Sequence, residues 1–236
     1  MMITVSPSKT HQVEIQAPLQ TMQPAFQGEA MRLYARISSW TKDEMMSRMK
    51  LSDTLADQVY ELYQDQVREK SATAITYYTG LVYKQLCLPQ YSQNEWQYIK
   101  ENLRILSAMY GVLRPQDKVK PYRLDFQMKV PGENLYQSWG ILLASYWKSE
   151  VIVDLSSNEY GKMLPDDRIR IQFLQRNKKG EWKSQSTKTK MARGKMLDWL
   201  IRMQIKTPEE IQAFALDSYV FDSERSLDRT WVFCQR

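Results

Sequence analysis

The chain has 236 residues, 43 % apolar and 25 % charged, with 33 Lys and Arg against 27 Asp and Glu and a net charge of +6. That length allows a well-buried core in one large domain or two small ones. No apolar run reaches the roughly 20 residues that cross a bilayer, and the short apolar start lacks the basic lead of a secretory signal. Two distant cysteines, Cys87 and Cys234, argue against a disulfide framework and for a reducing compartment, so a cytoplasmic location is expected.

In chain order, Met2 to Val5 reads as a short strand ending at Ser6 and Pro7. Thr41 to Glu44 (TKDE) has the spacing of a capping box, in which threonine and glutamate satisfy free N–H groups at a helix start. Ser52 opens an amphipathic helix toward Val67, with Leu55, Val59 and Leu62 at helical spacing. Gly80 to Leu86 allows a short helix. Ser92 to Glu95 (SQNE) is a second capping box. Trp96, Ile99, Leu103, Leu106 and Tyr110 then fall on one stripe, which extends that helix to Tyr110. Arg123 to Val130 looks extended. Asn134 caps a helix holding Tyr136, Trp139, Leu142, Leu143 and Tyr146.

Val151 to Leu155 is apolar with one acid, as in a strand buried on both faces, and it ends at Ser156, Ser157 and Asn158. Arg168 to Phe173 alternates strictly and should bury one face. Asn177 to Gly180 is a turn, and Glu181 to Ser186 returns as a strand. A helix with Met191, Lys195, Met196 and Leu200 follows. Thr207 to Glu210 (TPEE) has a cap, a first-turn proline and a box glutamate. Tyr219 to Asp222 and Thr230 to Gln235 are late strands. The fold class is therefore α/β (mixed α+β), a sheet flanked by helices, with helices slightly ahead.

Chemistry is constrained by what is missing. His11 is the single histidine, so no histidine metal site or triad can be assembled, and no Cys-x-x-Cys occurs. Neither phosphate-cradling glycine motif is present. No cofactor and no metal are expected. Four polar clusters remain. Ser6 to Thr10 (SPSKT) follows the first strand, where open α/β sheets place ligands, and its hydroxyls and lysine suit an anion. Leu103 to Phe126 interleaves Arg114, Lys118, Lys120 and Arg123 with Tyr110 and Tyr122, which suits an anion site or a solvated loop. Ser156 to Tyr160 (SSNEY) follows the second buried strand. Lys190 to Gly194 (KMARG) lies on a helix, where a glycine costs roughly 1 kcal/mol relative to alanine; it implies close packing or close approach of a ligand. Between Lys178 and Lys195 seven basic residues face one acid, Glu181, as a solvated surface or an anion footprint.

These motifs, with YTGLVY (Tyr78 to Tyr83), LYQSWG (Leu135 to Gly140), VIVDLSSNEY (Val151 to Tyr160) and DSYVFD (Asp217 to Asp222), run in one order over nearly the whole chain. In them the sequence resembles the YaaA-type peroxide-stress protein family. The resemblance implies one compact α/β domain over 1–236, of unusual topology and with a positively charged cleft. It implies a cytosolic protein of the hydrogen-peroxide stress response that limits damage linked to intracellular iron. It also implies DNA binding through a helix-hairpin-helix element, whose hairpin would fall at Tyr110 to Leu113.

A basic cleft holding DNA phosphates needs Ser6, Lys9, Thr10, Gly111, Arg114, Lys120, Arg123, Lys190 and Arg193. Tyr122, Tyr136 and Trp139 could stack on an exposed base, or belong to the core. Ser157, Asn158 and Glu159 are pocket candidates. The partner expected is double-stranded DNA, with distorted DNA favoured, and no membrane; a monomer is expected. The alternative is an enzyme acting on a nucleotide, nucleobase or nucleic acid, with Glu159 or Asp154 as base and Lys9 or Lys190 as electrostatic stabiliser. Direct iron sequestration is disfavoured, because carboxylates alone would have to supply the ligands.

Overall fold

The fold was obtained as a computed structural model that describes residues 1–13, 17–64, 71–147 and 151–236. Strand β1 (Met2–Val5) is followed by helices α1 (Gln27–Ser38), α2 (Lys42–Met49) and α3 (Asp53–Gln64). Strand β2 (Ala72–Thr73), the short α4 (Ala74–Tyr77) and a tight turn at Tyr83–Gln85 lead to α5 (Gln93–Asn102). Strands β3 (Leu103–Ser107), β4 (Gly111–Leu113) and β5 (Lys118–Val119) precede α6 (Leu135–Leu143). The second half holds β6 (Ile152–Asp154), α7 (Asn158–Gly161), β7 (Ile169–Arg176), β8 (Trp182–Lys183), α8 (Ser186–Met203), β9 (Tyr219–Phe221) and β10 (Thr230–Gln235).

Both capping boxes form: Thr41 and Ser92 each accept from the glutamate N–H three residues on, and each glutamate accepts in return. Asn134 caps α6 by accepting from Gln137 N–H at 3.2 Å. The expected continuation of α3 to Val67 lies outside the described residues. Glu210 accepts from the N–H groups of Lys206 and Thr207, but the segment it starts is a tight turn of helix, Glu209–Ala213. Of Glu181 to Ser186 only Trp182–Lys183 pairs, and Arg123 to Val130 makes no strand.

The largest correction falls on the helix from Ser92. It stops at Asn102, whose side-chain amide donates to the carbonyl of Tyr98, and the chain enters β3 directly. Every residue of β3 is buried. A strand covered on both faces buries side chains at every position, so Leu103 and Leu106 in β3, with Tyr110 in the turn after it, matched a helical stripe without being helical. β3 turns back on β4 through Ala108, Met109 and Tyr110, with Ser107 Oγ accepting from the N–H groups of Met109 and Tyr110. The expected helix-hairpin-helix at Tyr110 to Leu113 is therefore a β-hairpin.

The eight-stranded mixed sheet runs β4-β3-β1-β6-β7-β10-β9, with β8 beside β7. Its centre, from β3 to β10, is parallel, and β4, β9 and β8 are antiparallel additions. From β1 the chain goes first to β3 on one side and later to β6 on the other. That reversal is a topological switch point, where the carboxyl ends of two neighbouring strands open a crevice. Ser6 follows β1 there and Ser156 follows β6. Helix α8 closes on the turn at Tyr83–Gln85 so tightly that a Cβ on Gly194 would stand 2.3 Å from the carbonyl oxygen of Val82. Close packing, one of the two readings of that glycine, is what it serves. Among the described residues no helix is long and apolar enough to cross a membrane.

Candidate ligand cleft at the carboxyl ends of the central strands

Two of the polar clusters join at the crevice. Ser157 N–H donates to Ser6 Oγ at 2.8 Å, which ties the loop after β6 to the loop after β1. Tyr83 donates to the Ser6 carbonyl at 2.9 Å, and Gly80 packs so closely that a Cβ there would meet Ser8 Oγ at 2.3 Å. The β1 loop is thereby fixed, and it delivers the exposed Lys9 to Asp125 at 3.1 Å. Thr10 is exposed; its side chain bonds Ser8, and its carbonyl accepts from Thr79 N–H at 3.0 Å.

The segment from Lys120 to Arg123 has no strand partner, yet Pro121 and Tyr122 are buried and Lys120 and Arg123 half-buried. Tyrosine hydroxyls take the place of a sheet ladder. Tyr34 donates to the carbonyl of Pro121 at 2.9 Å, with that of Lys120 at 3.1 Å. Tyr110 accepts from Lys120 N–H, Tyr77 from Tyr122 N–H, and Tyr63 bonds both the N–H and the carbonyl of Arg123. Tyr122 completes the cage, its hydroxyl 2.8 Å from both Tyr78 and Ser107. Burial pushes all these phenols above their ordinary range, so they serve as neutral hydrogen-bonding groups.

Held this way, Arg123 faces a cleft of about 260 Å³ with Lys9, Arg48, Lys50, Asp125 and Glu159. Four cations and two carboxylates make its lining net positive, in keeping with a basic cleft. Arg48 is paired with Glu44 at 2.6 Å, whereas Lys50 has no carboxylate partner among the described residues. Lys9 and Arg123 also border a second cavity of about 420 Å³, walled by His11, Leu55, Val59, Leu62 and Tyr122. His11 stacks on Tyr77 at 4.8 Å, and its pKa is lowered mainly by burial. Two atoms lie buried without a partner beside the cleft, Arg123 Nε and Glu159 Oε1.

Several expected residues have structural duties instead. Arg114 is held by Asp117 at 2.9 Å and by the carbonyl of Gln23 at 2.8 Å, which commits its Nε and one terminal nitrogen to the fold. Gly111 has a φ of +70° and lies against Trp139. Trp139 is 1 % exposed and donates to the carbonyl of Ala108, so neither ring face is open to a base. Tyr122 is buried in its cage. Tyr136 is stacked on Phe126 at 4.6 Å and donates to the carbonyl of Glu159. Lys120 is half-buried and contributes its backbone to the cage. Lys190 is exposed on α8 and does not line the cleft. Arg193 is largely buried, its Nε without a partner and its pKa lowered by burial, with Asp154 near enough to oppose that shift. Asp154 is buried and accepts from Ser156 N–H, Thr4 and Arg168, which commits it to holding the loop after β6. Asn158 accepts from Arg170.

Arg48, Lys50 and Asp125 were not among the expected site residues, nor was the tyrosine cage. Lys50 shows no local signal beyond ending α2 in the left-handed conformation (φ 53°). The cage had one: 14 tyrosines in this chain are many for hydroxyls that must each find a partner when buried.

Fold and cleft together define an α/β protein with a basic crevice at a switch point of its sheet. A family model described as peroxide stress protein YaaA matches residues 1–225. UPF0246 proteins align over essentially full length: that of Acaryochloris marina (strain MBIC 11017) is 30 % identical over 251 residues, covering 100 % of both chains. That of Finegoldia magna is 30 % identical over 240 residues, covering 99 % of this chain and 97 % of its own. That of Aliivibrio fischeri (strain MJ11) is 32 % identical over 252 residues, with the same coverage. The chain belongs to the peroxide stress protein YaaA family.

Proposed function

We propose that this protein acts in the peroxide stress response by holding DNA at the mouth of the cleft, and that iron-linked oxidative damage is limited through that contact. The supporting observation is the convergence of Lys9, Arg48, Lys50 and Arg123 on one cleft from three separate segments of the chain. Such cations bind phosphate oxygens and read no sequence. A cleft of about 260 Å³ is too small for a smooth duplex to enter. It suits the phosphates of bent, nicked or bulged DNA, where the backbone can be pushed inward. Lys9→Ala with Lys50→Ala is expected to weaken binding and to reduce the slope of log K against log salt by about 2, roughly one counterion per lost lysine. An unchanged slope in salt-dependent anisotropy titrations would remove these residues from the interface.

A second reading, an enzyme acting on a nucleotide, nucleobase or nucleic acid, draws on Glu159, whose carboxylate has an unpaired oxygen beside the cations of the same cleft. It expects a chromatographic product from oligonucleotides or nucleotides that disappears in Glu159→Gln. DNA and nucleotides recovered unchanged after long incubation exclude it.

A further inference from the structure

The cleft is incomplete in two opposite senses. Glu159 Oε1 lacks a donor and Arg123 Nε lacks an acceptor, and both residues line the cleft. Their surroundings are otherwise balanced. Asp125 stands 3.1 Å from Lys9 and 3.7 Å from Arg123, and Glu159 Oε2 accepts from Gln127 at 3.2 Å. A purely anionic ligand would satisfy Arg123 but face two carboxylates. A cationic one would satisfy Glu159 but face Lys9 and Arg123. The complement to this pair is a neutral edge with donors and an acceptor side by side.

We propose that the cleft receives the Watson–Crick edge of one unpaired guanine; this rests on the DNA-binding reading above. Guanine places two donors, N1–H and N2–H, in line with the acceptor O6. The two donors match the carboxylate of Glu159, and O6 matches the guanidinium of Arg123. Adenine and cytosine offer one amino group beside ring acceptors, and thymine one N–H between two carbonyls. None of these gives a carboxylate two parallel donors. Oε1 of Glu159 takes one of the two guanine donors, and Oε2 takes the other in place of Gln127, which now donates to it at 3.2 Å. The adjoining cavity supplies cover for the faces of a planar ring: Leu55, Val59 and Leu62 wall it, and Leu55 is 38 % exposed there. Lys50, exposed on the rim, is placed for the phosphate next to the extruded base.

The test uses the full chain and four duplexes identical except for one bulged nucleotide, G, A, C or T, titrated by fluorescence anisotropy at fixed low salt. The G bulge is expected to bind about tenfold tighter than the other three. In Glu159→Gln the ratio of G to T affinity should fall to under about twofold. Equal affinity for all four bulges overturns the guanine assignment and leaves the DNA reading standing. A G preference that persists in Glu159→Gln also overturns it. Failure to bind any of the four overturns both.

Discussion

Gly111→Ala is expected to lower the unfolding free energy by about 3 kcal/mol, and the melting temperature by roughly 6–12 °C for a chain of this size. The backbone at Gly111 has a φ of +70°, and a Cβ built there lies 2.5 Å from two ring atoms of Trp139. The ring cannot give way. It is 1 % exposed, anchored through Nε1 to Ala108 at 2.9 Å, and edge-on to Phe26 at 5.8 Å. Gly132→Ala separates the two causes. Its φ is +67°, but the nearest atom is the far end of Arg36 at 3.2 Å, so only the backbone cost of about 1 kcal/mol is expected. Equal losses in the two variants, measured by calorimetry, would take Trp139 out of the explanation. Loss of binding in a Gly111 variant would then report a damaged hairpin and not a missing contact.

Arg168→Met is expected to cost about 3 kcal/mol in denaturant unfolding, because it strips a buried carboxylate of its partner. Asp154 is 2 % exposed and receives Arg168 Nε at 3.0 Å. Its other oxygen holds Ser156 N–H at 2.8 Å, which aims the loop carrying Ser157, Asn158 and Glu159. Arg193 remains within electrostatic reach of Asp154, which keeps the cost at the low end for a broken buried pair. Adding Asp154→Asn to Arg168→Met should recover part of the loss, since the uncompensated charge is then gone. A cost under about 1 kcal/mol for the single change would show that Arg168 is not the main partner of that charge.

The loops that form the cleft were legible one at a time. Ser6 to Thr10 and Ser156 to Glu159 stood out because polar runs directly after apolar strands mark the carboxyl ends of a sheet. Arg123 stood out as a cation in an extended, aromatic-rich run. Their joining through Ser6 and Ser157, 151 residues apart, was not legible, because neither serine carries a mark of its partner. The structural duty of Arg114 was hidden for the same kind of reason. Its spacing from Asp117 allowed an ion pair, but only burial of Asp117, whose side chain is 0 % exposed, makes that pair obligatory.

What the amino-acid sequence determined by itself was local or collective. The capping boxes at Thr41 and Ser92 follow from hydrogen bonds spanning three residues, and the membership of the family follows from motifs spread along the whole chain. The tertiary structure decided which basic and aromatic side chains are free. Arg123 faces the cleft because Tyr63, 60 residues earlier, holds its backbone, and Trp139 is closed off because Gly111 lets the hairpin lie on it. A side chain becomes available to a ligand only when its distant neighbours have not already satisfied it, and those neighbours exist only in the folded chain.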